Sequence, residues 1–277
     1  MAKLLQTLIS LLSCIALLLD IANTAQSQTT SFSYAFNGEQ PTDLLYQGDT
    51  HFPSDSTYLR LINIDSWGFP VQQSAGRAVY SKPIQFWEVG APFQLETTVK
   101  FIITPINPFP ANGFTFFIQP VGSPIGSPGE SFGIFDINGT NPSVFAVEID
   151  LALYYWQGDR HVGIDIGSVD SKNRTDVGTA ILGQEVTARI NYHQSSQLIS
   201  VHVTAGSQTF EVSYVYDLTT ILPQQVEVGL SAATGPQVAI FDVIAWDYSS
   251  TLGQTTSTLV KTSANRELED AKIRQYV

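Results

Sequence analysis

VEIDLALYYWQGDRHVGIDIGSVDS, running from Val147 to Ser171, is the stretch around which the chain is organised. In an extended strand alternate side chains share a face, so Glu148 and Asp150 point the same way, about 7 Å apart along the backbone. Two carboxylates so placed repel unless one is protonated or a cation lies between them. The following loop offers Asp159 and His161 to such a cation. An imidazole among carboxylates suits a transition metal such as Mn²⁺, whereas carboxylates and backbone carbonyls alone suit Ca²⁺. The plainer alternative is a solvated polar strand face, because E-x-D is a common pattern.

Working outward, the same period of two recurs along the chain. Phe32, Tyr34 and Phe36 fall on one side of a strand that opens at Ser31. Similar runs follow at 58–64, 78–80, 93–103, 114–118, 144–150, 161–166, 185–192, 198–204, 209–216, 226–232 and 238–248. Val, Ile, Thr, Phe and Tyr dominate these runs and no helical period is sustained, which predicts an all-β chain with mostly antiparallel pairing. A dozen short strands imply two packed sheets. Trp67, Trp87 and Trp246 are expected to fill the sandwich, and His51, His193 and His202 to be surface or core-satisfied histidines.

No linker splits the region from about Gln28 to Ser250, which reads as one domain, 28–250. Ahead of it, Lys3 precedes an apolar run from Leu4 to Leu19 and small residues around 22–27, the layout of a cleavable secretory signal over 1–27. Beyond it, residues 251–277 turn polar and then charged, as in a disordered or processed tail. Cys14 is the only cysteine, so the chain can form no internal disulfide; stability rests on core burial, with bound metal as the other available source. Two sequons, at Asn138 and Asn173, are open to glycosylation on a secretory route and are expected on exposed loops. A net charge of −12 with 13 Lys and Arg gives no electrostatic basis for binding nucleic acid or an anionic membrane, while neutral sugars stay permitted.

Several motifs in order resemble the legume lectin family. Ser31–Phe36 with the YQGD of Tyr46–Asp49 is similar to its opening segments. Ser74–Tyr80, SAGRAVY, followed by Pro83, Ile84 and Trp87, looks like its SxGRxxY signature, and Ala111–Ile118, ANGFTFFI, like its ADGxxFFI strand. HVGIDIGSVDS fits its metal-bearing block, and GLSAATG at 229–235 with Trp246 fits its closing block. The resemblance implies a jelly-roll-like sandwich of antiparallel sheets (the concanavalin-like lectin fold), Ca²⁺ and Mn²⁺ as cofactors, glycans or glycoproteins as partners, and homodimers or homotetramers. It also implies an extracellular or vacuolar destination.

At the sugar site the chain departs from that pattern. The family's hydroxyl-accepting Asp falls on Asn112, the Gly that offers its N–H on Glu130, and the metal-loop Asn on Tyr154, which supplies no amide oxygen to Ca²⁺. The fourth loop gives Pro236, which has no N–H, and Gln237. A backbone carbonyl ligand falls on Ala152, and Asp159 stands unusually close to His161, so either Asp159 or Gln157 takes the next ligand position. Trp156 with Tyr154 and Tyr155 either stacks on apolar sugar faces or packs on its own loop. The expectation is therefore a secreted carbohydrate-binding protein with an altered, metal-dependent site. The competing one is a non-sugar-binding defence or storage protein of the arcelin or amylase-inhibitor kind. Catalysis is not expected: the glycosidase pattern E-x-D-x-x-E would need a second glutamate at Leu153.

Overall fold

Alternation along the strands sets the layers. A computed structural model of the chain describes residues 27–38, 40–54, 57–152 and 160–253. Its strands are β1 (Gln28–Ala35), β2 (Leu44–Gly48), β3 (Leu59–Arg60), β4 (Ala75–Tyr80), β5 (Ile84–Gln85), β6 (Phe93–Pro105), β7 (Gly113–Pro120) and β8 (Thr140–Asp150). They continue with β9 (His161–Ser168), β10 (Asn173–Asp176), β11 (Glu185–His193), β12 (Leu198–Ala205), β13 (Gln208–Val215), β14 (Gln225–Ala233) and β15 (Ala239–Leu252). One sheet has the order β1-β15-β6-β11-β12-β13, with β3 paired to β15. The other runs β10-β9-β8-β7-β14-β4-β2, with β5 paired to β14. Every ladder between these strands is antiparallel, so the all-β sandwich expected from the sequence is the one observed.

β6 illustrates how the first sheet is built. Phe93, Leu95, Thr97, Val99, Phe101 and Ile103 are buried, and the residues between them face outward. Burying a Val, Leu, Ile or Phe side chain in this way contributes about 1.5–3 kcal/mol. β8 behaves differently, because Val144 to Asp150 are buried on both faces. Phe145, Val147 and Ile149 enter the core between the sheets. Val144 and Ala146 instead join Val79, Phe117, Phe132, Ile134 and Phe135 in a second apolar cluster beneath the 129–136 loop. That loop roofs the outer face of the second sheet, and Glu148 and Asp150 point to this roofed face.

Four expectations need correction. Three strands, β2, β5 and β10, form outside the periodic runs, and the run at 58–64 narrows to Leu59–Arg60. β15 reaches Leu252, two residues past the expected domain end. Trp246 is fully buried and Trp87 packs against the core, but Trp67 stands in solvent at 84% exposure. Its tip position in a tight loop wins over its hydrophobicity. Asn138 lies exposed in the turn before β8, whereas Asn173 opens the edge strand β10 rather than a loop. Its Nδ2 donates to the Ser213 carbonyl of β13 at 2.8 Å, and the Thr175 hydroxyl donates to the Glu211 carbonyl at 2.6 Å. These two bonds sew the edges of the two sheets together.

Candidate functional site

The registers of β7, β8 and β9 assemble the polar cluster. Asp150 lies opposite His161 and Glu148 opposite Gly163, while Ala146 faces Asp165. Glu148, Asp150, His161 and Asp165 therefore share one face, and all four are buried. The ligand-capable atoms of Glu148, Asp150 and His161 lie within 4.8 Å of one another. His161 Nε2 is 3.1 Å from Glu148 Oε1, and the Ser171 hydroxyl donates to the same oxygen at 2.5 Å. A Cβ on Gly163 would collide with Ser171 Oγ and with the Glu148 carboxylate, so only glycine leaves room for the cluster. A cleft of about 350 Å³ bounded by Asp150, His161 and Ser171 opens it to solvent.

Charge is costly here. Burial, then the neighbouring charge of Glu148, pushes the Asp150 carboxyl up to about 7, against the pull of the Ala152 N–H at 2.8 Å and of His161. Glu130 adds to the upward push, which puts its carboxylate within electrostatic reach of the cluster. Asp165 is driven well above the ordinary carboxylate range, first by burial and then by the charge of Glu148. The chemistry of this donor set, two or three buried carboxylates and one imidazole with an approach from solvent, fits a divalent cation.

Beside the cluster the strand ends form a second feature. The Asn112 N–H donates to Ala233 O at 3.1 Å, and its carbonyl accepts from Leu151 N at 2.8 Å, so this residue ties the ends of β8 and β14 together. The Ala111–Asn112 peptide is cis. A cavity of about 300 Å³ is lined by Phe109, Pro110, Ala111, Asn112, Ala152, Pro236 and Gln237. The one-turn 3₁₀ helix Gly129–Ser131 carries Glu130 and is held by the Gly129 N–H on Thr234 O at 3.0 Å. Residues 29–264 match the legume lectin domain family model.

The chain belongs to the legume lectin family. It is 33% identical to agglutinin-2 of Cladrastis kentukea over 285 residues, covering 96% of this chain and 94% of the relative. Among solved structures it resembles the metal-free form of lectin I-B4 from Griffonia simplicifolia, with a TM-score of 0.75, 31% identity, and 80% and 99% of the two chains covered. It resembles arcelin-5, a lectin-like defence protein of Phaseolus vulgaris, with a TM-score of 0.73, 26% identity, and 80% and 98% covered. Legume lectins are carbohydrate-binding proteins and not enzymes.

Of the site residues read from the sequence, Glu148, Asp150 and His161 come together in one cluster. Asn112, Pro236 and Gln237 line one cavity beside Ala152, with Glu130 on the adjoining turn. Asp159, Tyr154, Tyr155, Trp156 and Gln157 lie outside the described residues. Sequence reasoning did not single out Asp165, Ser171, Gly163 or Phe109. Asp165 was reachable from the same period of two that pairs Glu148 with Asp150, since it follows His161 by four residues on one strand. Phe109 carried no such signal, because its 60% exposure at the cavity mouth is set by the conformation of a loop.

Proposed function

We propose that this legume lectin is a carbohydrate-binding protein of the secretory pathway whose sugar site is supported by divalent ions and altered from the family pattern. The observation that carries this reading is the buried Glu148, Asp150 and His161 cluster, its ligand atoms within 4.8 Å, next to the 300 Å³ cavity of Asn112, Pro236 and Gln237. Glu148, Asp150 and His161 would hold an ion of the Mn²⁺ type. Asp150, the Ala152 carbonyl and Asp159 would contribute to a Ca²⁺ site, with Tyr154 unable to replace the family's amide oxygen. A bound ion supplies positive charge to a face that burial and mutual repulsion otherwise disfavour. The chain's own part is to hold Asp150 through the N–H of Ala152, itself a cavity-lining residue.

In the cavity Asn112 contributes a neutral amide where the family has a carboxylate, so sugar hydroxyls lose charge assistance and binding is weaker or shifted. Glu130 beside it favours ligands with donors to spare. A glycan array read with and without chelator tests the reading, with metal analysis giving two, one or zero ions per chain. Glycan binding indifferent to chelation refutes the ion-supported form.

One observation favours a second reading, the arcelin or amylase-inhibitor kind of protein. Asn112 is only 2% exposed, and its side-chain oxygen sits where a Cβ on Gly235 would lie. Together with the missing N–H of Pro236 this leaves few inward donors for a sugar. Isothermal titration against simple sugars and against digestive amylases separates the two, and millimolar or tighter sugar binding rules the second out.

The organisation we propose is a leader over 1–27, a lectin domain from 28 to the end of β15 at Leu252, and a tail beyond it. Export then ends outside the cell or in a vacuole, Asn138 and Asn173 are the sequons available to a glycan, and assembly as a homodimer or homotetramer follows the family habit.

A further inference from the structure

Residues 63–73 form a tight loop whose tip lies open to water. Asp65 organises it: its Oδ1 accepts from Trp67 N and Phe69 N at 2.9 Å each, its carbonyl accepts from Gly68 N at 3.0 Å, and its own N–H donates to Phe69 O at 2.8 Å. Gly68 takes a positive φ of +86°, which closes the turn without strain. On this frame Trp67 is 84% exposed and Phe69 56% exposed. Two large rings are thus held in water by a loop that commits several hydrogen bonds to keeping them there. Adjacent exposed aromatics on a rigid frame mark a recognition surface.

The base of the loop is fastened to the rim of the cavity. The Gln72 amide donates to Pro236 O at 2.7 Å, Gln73 N donates to Gly235 O at 3.3 Å, and the Thr234 hydroxyl donates to Val71 O at 2.6 Å. Pro236 and Gln237 line that cavity. At the base of the loop the exposed side chains of Gln72 and Gln73 offer amide donors and acceptors. The only charged residue between Leu61 and Gly76 is Asp65, and the whole chain carries −12, so an anionic partner is disfavoured. A neutral ligand with apolar faces and many hydroxyls meets all of these features.

Resting on the sugar-binding reading above, we propose that Trp67, with Phe69, is a stacking platform for the outer residues of an oligosaccharide whose terminal residue occupies the Asn112–Gln237 cavity. The loop makes the site selective for extended glycans over monosaccharides. Chain length bounds the span: Trp67 and Gln72 are five positions apart, so their Cα atoms stand no more than about 18 Å from each other.

The test uses the full chain with Mn²⁺ and Ca²⁺ added. The probes are methyl glycosides of galactose, N-acetylgalactosamine, mannose and fucose, and oligosaccharides ending in each. The wild type is expected to bind at least one oligosaccharide more tightly than its terminal glycoside. Trp67→Ala weakens the oligosaccharide about two- to tenfold, leaves the glycoside unchanged and abolishes a fluorescence change that only the oligosaccharide induces, while Trp67→Phe restores most of the affinity. Circular dichroism of the variants checks that the fold is kept, as expected for a side chain in solvent. Equal affinities for glycoside and oligosaccharide, or equal losses for both in Trp67→Ala, overturn the platform while sparing the sugar site. No binding of any saccharide by the wild type overturns the sugar site and the platform together. Binding to neutral phosphatidylcholine vesicles that Trp67→Ala removes reassigns the rings to a lipid surface and overturns the platform.

Discussion

Replacing Asp150 by Asn should stabilise the protein when ions are stripped away and weaken it, relative to wild type, when they are supplied. In the fold, burial and Glu148 push the Asp150 carboxyl from 3.8 to about 7, while the unfolded chain keeps the ordinary value. Well below pH 4 the group is neutral in both states and costs nothing. As pH rises from 4 to 7 the unfolded state ionises and the folded state does not, so stability is lost, and above 7 the loss is complete. A displacement of that size corresponds to about 4 kcal/mol. Asparagine keeps the oxygen that accepts from Ala152 N at 2.8 Å and removes the charge. Urea unfolding in chelator at pH 8 should therefore show Asp150→Asn more stable by up to about 4 kcal/mol, with the two proteins converging near pH 4. Saturating Mn²⁺ should raise the melting temperature of the wild type and leave the variant little changed, reversing the order. Below pH 7 the ion must displace a proton, so apparent affinity falls with acidity. A variant less stable than wild type at pH 8 in chelator, or a stability gap that ignores pH, refutes the reasoning.

Gly163→Ala forces a Cβ against Ser171 and Glu148, and calorimetry should show a loss of about 1–3 kcal/mol together with a smaller ion-induced shift. Arg60 holds Asp242 through bonds of 2.8 and 2.9 Å at a site where burial raises the carboxyl. Arg60→Ala removes the compensating cation, so about 3–5 kcal/mol should be lost at neutral pH and less in acid, where Asp242 is protonated in both states. Thr175→Val removes the hydroxyl bond to Glu211 O and should cost about 1 kcal/mol, read as faster hydrogen exchange in β10. Peptide mapping after enzymatic deglycosylation in heavy-oxygen water should find Asn138 occupied more fully than Asn173, whose amide is engaged by Ser213.

The sandwich was legible because its strands obey one period. Phe93 to Ile103 alternates so regularly that the buried face follows from the order of the residues alone. The same rule put Glu148 and Asp150 on one face, and the strand-loop-strand order brought His161 opposite Asp150. What escaped was set by loops and by pairing. Trp67 looked like core because indole is apolar, yet its Asp, Gly and Pro neighbours at 65, 68 and 70 fix a turn that points it outward. Asn173 to Asp176 has poor strand propensity and is extended only because β9 pairs with it. The cavity walls come from three separated segments, and no local pattern announces their meeting.

β1 and β15 carry one more implication. Gln28 pairs with Leu252 across the first sheet, so the domain's two extremities emerge side by side. A short polar bridge between them, with the chain reopened at an exposed turn such as the one at Gly206, would preserve every ladder of both sheets. Circular rearrangement of the gene is thus compatible with the architecture, and labels fused to either extremity will crowd the same corner of the molecule.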